Sequence, residues 1–344
     1  MLSETSPQQA TATGAAGRPS LGEGSRNLHQ RPDMKVLITG GAGYIGTVLT
    51  QLLLERGDSV RCYDTLDSRI DPLLPFFRNP RYEAVEGDVR DGESLKQSLR
   101  DVDAICHLAA VVGFPACKRN PELALEVNVH GTQLLNAARS ADQLLVFTNT
   151  GSIYGAIEGG VCSEDTPLNP ATVYARTKME AERILLDSGN AVSYRLATAF
   201  GLSPALRLDL LINDLCYQAV HNRNLIIYEA HVQRSFIDVY DIARAIIHAL
   251  DNYELMRGEP YNCGDERLNA SKLEIANLIQ EQTDFYLHIA EIGKDEDKRD
   301  YQVVYDKICR TGYQTTVTLK EGIRTLISAF RHLHVPSPYS RGGN

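Results

Sequence analysis

Lys35-Val36-Leu37-Ile38-Thr39 is followed without a break by Gly40-Gly41-Ala42-Gly43-Tyr44-Ile45-Gly46. The first five residues are a short apolar, β-branched run, the pattern of a buried strand. From Thr47 to Arg56 the apolar residues Val48, Leu49, Leu52 and Leu53 recur at helical spacing, and Gly57 ends the run. The stretch therefore reads as strand, glycine turn, helix. Glycines at 40, 43 and 46 permit a tight turn, a close backbone approach to a pyrophosphate and tight helix–strand packing. The helix start adds amide donors and a partial positive charge. Gly40, Gly43, Tyr44, Ile45 and Gly46 form the expected cofactor turn, with an ordinary turn as the competing reading.

Ser59-Val60-Arg61-Cys62-Tyr63 reads as the second strand and ends at Asp64. That acid lies about 18 residues beyond Gly46, where a ribose-binding carboxylate belongs. It would accept from the 2′-hydroxyl of the adenosine and repel a 2′-phosphate, so NAD is expected over NADP. The competing reading is a turn cap. Asp67 to Pro80 is irregular. A third strand at 81–86 leads to Gly87-Asp88-Val89, where Asp88 either accepts from the adenine amino group or serves a turn. Residues 103–110 form a fourth strand ending in Ala109 and Ala110, small enough to let a cofactor pass. His107, inside that apolar strand, reads as a satisfied core histidine.

Pro121 opens a helix reaching Ala138. The fifth strand, Leu144 to Thr148, runs into Asn149-Thr150-Gly151-Ser152-Ile153-Tyr154-Gly155. A polar loop precedes the helix that carries Tyr174-Ala175-Arg176-Thr177-Lys178, and 191–197 is the sixth strand. Strands alternating with helices imply an α/β chain with a Rossmann-type, doubly wound parallel sheet. Ligands in such sheets bind at the carboxyl ends of the strands, the edge on which Thr150 falls. Tyr174 and Lys178, four apart, share a helix face. An ammonium there favours the phenolate and lowers the tyrosine pKa.

Beyond Gly201 the alternation breaks, and a smaller mixed α/β C-terminal lobe is expected to close over the sheet edge. The expected organisation is a disordered extension at 1–33, a nucleotide-binding domain at 34–200, a mainly substrate-binding lobe at 201–335 and a loose tail at 336–344. The lobes interleave, with a strand near 235–240 returning to the first domain.

The 344 residues suffice for one large or two modest domains. A net charge of -9 argues against nucleic acid or an anionic membrane surface as a partner. No apolar run reaches the length of a membrane span. Seven scattered cysteines without a Cys-x-x-Cys argue against disulfide or metal frameworks and suit a reducing cytoplasm.

Taken in order, Gly40-x-x-Gly43-x-x-Gly46, Asp64, Thr150 and Tyr174-x-x-x-Lys178 resemble the extended short-chain dehydrogenase/reductase family. More narrowly, they are similar to the NAD-dependent epimerase/dehydratase group that acts on nucleotide sugars. The resemblance covers roughly 34–330. It implies that Tyr174 is the acid/base, that Lys178 binds the nicotinamide ribose and tunes Tyr174, and that Thr150, four residues before Tyr154-Gly155, hydrogen-bonds the reacting hydroxyl. It implies that Arg234, in Arg-x-Phe-x-x-Val-x-Asp, and Arg299, before Asp300-Tyr301, bind the nucleotide diphosphate; surface solvation is the alternative for Arg299. Asn213 resembles a substrate-contacting asparagine. Thr198 stands where many relatives have asparagine after Arg195-x-x, at a sugar-contact position.

Two departures narrow the chemistry. The 4,6-dehydratases of the group carry Asp-Glu directly after the threonine; this chain has Gly151-Ser152. Cys117, in the loop 111–117, is an extra acid/base or, in the favoured reading, a buried structural thiol. The expected enzyme is an NAD-dependent nucleotide-sugar epimerase, at C4, working through a transient keto sugar. The alternatives are an NAD(P)H-dependent reductase of a keto-deoxysugar nucleotide and a catalytically idle NAD-binding regulatory protein. The family's usual homodimer would use the helices from Pro121 and Tyr174.

Overall fold

The computed structural model describes residues 33–67, 70–155, 160–291 and 302–333. Seven strands form one fully parallel sheet: β1 (Lys35–Thr39), β2 (Ser59–Asp64), β3 (Tyr82–Glu86), β4 (Ala104–His107), β5 (Leu144–Thr150), β6 (Val192–Leu196) and β7 (Pro260–Cys263). Their order across the sheet is β7-β6-β5-β4-β1-β2-β3. The chain thus winds outward in both directions from β1, and the switch point lies between β1 and β4. The central strands β1, β4 and β5 are buried over nearly their whole length, so their inner residues show no alternation of apolar and polar.

Helices cover both faces. Tyr44–Arg56 and Val239–Asp251 pack together on one side, where Val48, Leu49, Leu53, Ile242 and Ile246 share a core with β1. On the other side Leu37, Ile105, Leu145 and Phe147 meet Leu135 and Leu185. The second helix on that side spans 121–138 but widens into a π-helical turn at Glu126–His130.

The strand expected near 235–240 pairs with residues 198–200 at the end of the first domain, outside the seven-stranded sheet. Gln233–Asp238 pairs with Thr198–Phe200 and Asn269–Ser271 in a separate three-stranded sheet. Its alternation explains this: Phe236 is buried in the C-terminal core against Phe200, while Ile237 is buried in the core of the main sheet. The strand therefore straddles both cores. The seventh position in the main sheet goes to β7, with Pro260 opposite Ser193.

The C-terminal core gathers Ile212, Leu215 and Cys216 of helix Leu211–His221 with Ile323, Leu326 and Phe330 of helix Leu319–Phe330. A two-stranded parallel sheet, Asn224–Ile227 with Tyr286–Ile289, completes this smaller mixed lobe. Among the described residues no helix is long and apolar enough to cross a membrane. The expected extension at 1–33, apart from Asp33, and the tail at 336–344 lie outside the described residues.

Candidate active site

The carboxyl ends of β1, β2, β4 and β5 open onto a cavity of about 900 Å³. Every cofactor residue expected from the sequence lines it: Gly40, Gly43, Tyr44, Ile45 and Gly46 of the turn, Asp64, Asp88, Val89, Ala109, Ala110, Tyr174 and Lys178. Thr150 and Thr198 line it as well.

The glycine turn is closed on itself. Gly40 has φ +70°, and a methyl there would sit 2.8 Å from the Ala109 nitrogen. A methyl on Gly46 would lie 2.6 Å from the Gly40 carbonyl oxygen. Gly43 is the N-cap of helix Tyr44–Arg56 and gives that helix no side-chain cap. The first-turn amides therefore have no side-chain acceptor competing with an anion. This backbone cradle, with an acid at the end of β2, fits a dinucleotide.

Asp64 accepts from the amides of Ala42 and Leu66, each at 3.1 Å, and burial raises its carboxyl pKa. Its bond to Ala42 ties the end of β2 to the glycine turn. Asp88 is clamped by Arg90, whose Nη2 lies 2.6 Å from Oδ2, and that guanidinium holds the carboxyl below its ordinary range. Both acids thus face the cavity with part of their acceptor capacity already engaged.

Thr150 ends β5. Its Oγ1 accepts from the Ser152 amide at 3.2 Å and donates to Ser152 Oγ at 3.1 Å. Its own amide donates to Asn149 Oδ1 at 2.8 Å. Asn149 in turn donates to Glu182, which also accepts from Ser193 and from Arg195 at 2.7 Å. Arg195 continues to Tyr154 Oη, and Tyr154 to Asn262. A buried, hydrogen-bonded network beneath the cavity floor thus fixes the end of β5.

Helix Val173–Leu186 is capped by Thr172, whose Oγ1 accepts from the Ala175 amide. Its buried stripe contains Lys178, Ala181, Glu182 and Leu185, at i, i+3, i+4 and i+7. Lys178 is 3% exposed, and its Nζ lies 3.9 Å from the centroid of the Phe147 ring. Burial pushes its pKa down to about 7, against the opposing charges of Glu182 and Cys117.

The structure places three of the expected features in more detail. Asn213 does not line the cavity. It is fully buried, and its amide bonds the backbone of Gly201 and Arg207, because the chain turns around it at 201–207. Arg234 lines a separate small cavity of about 30 Å³, together with Arg195 and Thr198; Thr198 borders both. The 111–117 stretch is helical from Phe114, where the sequence reads as a loop. Arg299 lies outside the described residues. His107 is fully buried between Thr39 and Thr132, both bonded to its ring, and burial pushes it down to about 3. Cys117 is buried, its thiol donates to the Val111 carbonyl, and burial pushes it up to about 11. Both have partners inside the fold, and neither lines the cavity.

Two residues at the site escape sequence reasoning. Asn128, in the π-helical turn, accepts from the Val111 amide at 2.8 Å and donates to Thr177 at 3.0 Å. It holds the loop after β4 against the Tyr174 helix. An asparagine in an apolar helical phase is its only sequence signal. Arg207 lines the cavity beside Tyr174, and nothing local in the sequence marks it.

A model of the NAD dependent epimerase/dehydratase family matches residues 36–264. UDP-glucuronic acid decarboxylase 1 of Arabidopsis thaliana is 27% identical over 339 residues, which cover 93% of this chain and 73% of that protein. Low-salt glycan biosynthesis protein Agl12 of Haloferax volcanii is 32% identical over 278 residues, covering 78% and 86%. Among solved structures, UDP-glucose 4-epimerase of Thermus thermophilus in complex with NAD superposes with a TM-score of 0.75 at 25% identity, covering 87% of this chain and 99% of that one.

Proposed function

The chain belongs to the NAD-dependent epimerase/dehydratase family, and on that premise we propose that it is a nucleotide-sugar epimerase inverting a hexose at C4 through a transient keto sugar. It is an enzyme of the extended short-chain dehydrogenase/reductase type, and NAD is its cofactor. The observation that carries the finer reading is one cavity lined by Thr150, Tyr174 and Lys178 together with the glycine turn, with Gly151 and Ser152 where 4,6-dehydration needs two carboxyl groups.

In this reading Tyr174 takes the proton of the C4 hydroxyl, and Thr150 hydrogen-bonds the same oxygen. NAD, when bound, supplies a reversible hydride acceptor for that carbon. Lys178, on the same helix face, favours the phenolate of Tyr174 when it carries its charge. The keto sugar then presents its other face, and Tyr174 returns the proton to the new alcohol. Arg234 and Arg299 hold the diphosphate, and Thr198 contacts the sugar. Residues 34–200 hold the dinucleotide and 201–335 mainly the sugar nucleotide. We assign a cytoplasmic homodimer formed through the helices at 121–138 and 173–186; the exposed Leu125 and Leu134 support this pairing.

A second reading, oxidative decarboxylation of a UDP-hexuronic acid, is favoured by the likeness to the Arabidopsis decarboxylase. One experiment separates the two. The purified protein is incubated with UDP-glucose, UDP-glucuronic acid and dTDP-glucose and followed by proton NMR and 340 nm absorbance. The epimerase yields a C4 epimer with no net NADH. A UDP-pentose with release of carbon dioxide selects decarboxylation. Neither an epimer nor a transient absorbance from any substrate sinks the proposal.

A further inference from the structure

Arg207 lines the large cavity together with Thr150 and Tyr174. It is therefore at the reacting end, apart from Arg234 in the smaller cavity. Asp209 accepts from its Nε at 3.0 Å and its Nη2 at 2.5 Å. That grip fixes the plane of the fork. It leaves Nη1 with no hydrogen bond among the described residues. The pair is a pre-set donor beside the expected base.

The backbone under Arg207 is fixed as firmly. Asn213 Nδ2 donates to the Arg207 carbonyl at 2.8 Å and to the Gly201 carbonyl at 3.2 Å, while Asn213 Oδ1 accepts from the Gly201 amide. Tyr44 Oη donates to the same Gly201 carbonyl at 2.7 Å. Ser203 Oγ donates to the Tyr44 carbonyl and bonds Thr47 Oγ1. Asn213 and Ser203 are buried. This clasp stitches the segment 201–207 to the first turn of helix Tyr44–Arg56, the turn that carries the dinucleotide.

We infer that Arg207 is a specificity-determining residue that donates to an oxygen on the sugar ring, a hydroxyl or a carboxylate, and that Asn213 is a positioning residue holding it there. The inference rests on the nucleotide-sugar reading above and deepens it. Asn213 acts on the sugar only through Arg207, so the two substitutions should not add. The clasp also makes the sugar end sensitive to the cofactor turn, because Tyr44 and Asn213 meet at one carbonyl.

The test is calorimetric binding to the full chain saturated with NAD, using UDP, UDP-glucose and UDP-glucuronic acid as probes. Arg207→Gln should weaken the sugar nucleotides roughly tenfold to a hundredfold and leave UDP and NAD within about twofold. A loss confined to UDP-glucuronic acid identifies a carboxylate as the acceptor; a loss for both sugars identifies a hydroxyl. Asn213→Ala should weaken the sugar nucleotides in the same sense, and adding it to Arg207→Gln should bring little further loss. If Asn213→Ala does not fold, Ser203→Ala loosens the clasp from the other side and serves in the same cycle. Unchanged sugar-nucleotide affinity in Arg207→Gln overturns the inference while leaving the epimerase reading intact. A fully additive double variant overturns the positioning role. Wild-type protein that turns over and binds none of the UDP probes overturns the UDP-sugar reading together with the inference.

Discussion

The Nζ of Lys178 lies 3.9 Å from the ring centroid of Phe147, a buried residue of β5. The ring face offers the cation a partial substitute for water. Burial still dominates, and the ammonium titrates near 7 where its ordinary value is 10.5.

Lys178→Met therefore separates stability from turnover. Between pH 7 and 10.5 the unfolded chain binds one proton more than the folded chain at this site, so this group makes stability rise with pH across that window. Below pH 7 the penalty is full and constant. Methionine removes it. At pH 7 the cofactor-free variant should gain on the order of 1–3 kcal/mol in unfolding free energy and lose its slope between pH 7 and 9. Turnover should fall by ~10²-fold or more. Urea titrations at pH 6.5, 7.5 and 9, with an epimerisation assay, check both. A variant less stable than wild type at pH 7 would show that packing outweighs the buried charge.

Glu182 and Arg195 are 4% and 6% exposed and 2.7 Å apart. Removing one partner leaves the other charged and buried. Glu182→Ala should cost ~3–5 kcal/mol, and Glu182→Met with Arg195→Met should recover most of that loss. The same glutamate holds Asn149, which holds the Thr150 amide. Turnover of the double variant should thus stay low even where stability returns. Guanidinium denaturation and kcat give the two readouts, and a Glu182→Ala loss below about 1 kcal/mol would contradict the account.

The two halves of the site differ in legibility for a physical reason. The glycine turn, Asp64, Thr150 and the Tyr174–Lys178 pair are written in local spacing: a turn needs its glycines in sequence, and a helix face needs its partners four apart. Arg207 and Asn128 are defined by what they meet across the fold. Asn128 meets Val111 and Thr177; Arg207 meets the Tyr174 side of the cavity only because Asn213 and Tyr44 fold 201–207 onto the glycine turn. Asn213 is spent on the backbone of 201–207 for the same reason, since its family position does not say which way a buried amide is used. The strand at 233–238 carries an apolar alternation that feeds both cores, and only the edge pairing of β7 with β6 shows that it stays out of the main sheet.

Asp64 should govern the choice of dinucleotide. Its carboxylate is held at the end of β2 by the Ala42 and Leu66 amides, in the position expected to meet a ribose 2′-oxygen. Asp64→Ser removes the charge that repels a 2′-phosphate and keeps a small acceptor. The ratio of NADP to NAD affinity should rise at least tenfold, equivalent to ~1.4 kcal/mol. Fluorescence titration with NADH and NADPH measures it, and an unchanged ratio would remove Asp64 from the ribose site.

Gly40 and Gly189 make a matched pair for testing the cradle. Their φ angles are +70° and +69°, so alanine pays the same left-handed backbone cost at either, on the order of 1 kcal/mol. They differ in space. A methyl at Gly189 meets nothing within 4 Å, whereas at Gly40 it lies 2.8 Å from the Ala109 nitrogen and 2.9 Å from its Cα. Those are backbone atoms at the end of β4 and cannot rotate away. Gly189→Ala should therefore cost about 1 kcal/mol and leave NAD binding unchanged. Gly40→Ala should cost ~2–4 kcal/mol and weaken NAD at least tenfold, because relieving the clash must move the turn or the Ala109-Ala110 edge that borders the cavity. Thermal unfolding with and without NAD distinguishes the two: the NAD-induced rise in Tm should persist in Gly189→Ala and be lost in Gly40→Ala. Equal losses at both positions would mean that the backbone conformation alone, and not the contact with β4, sets the requirement for glycine.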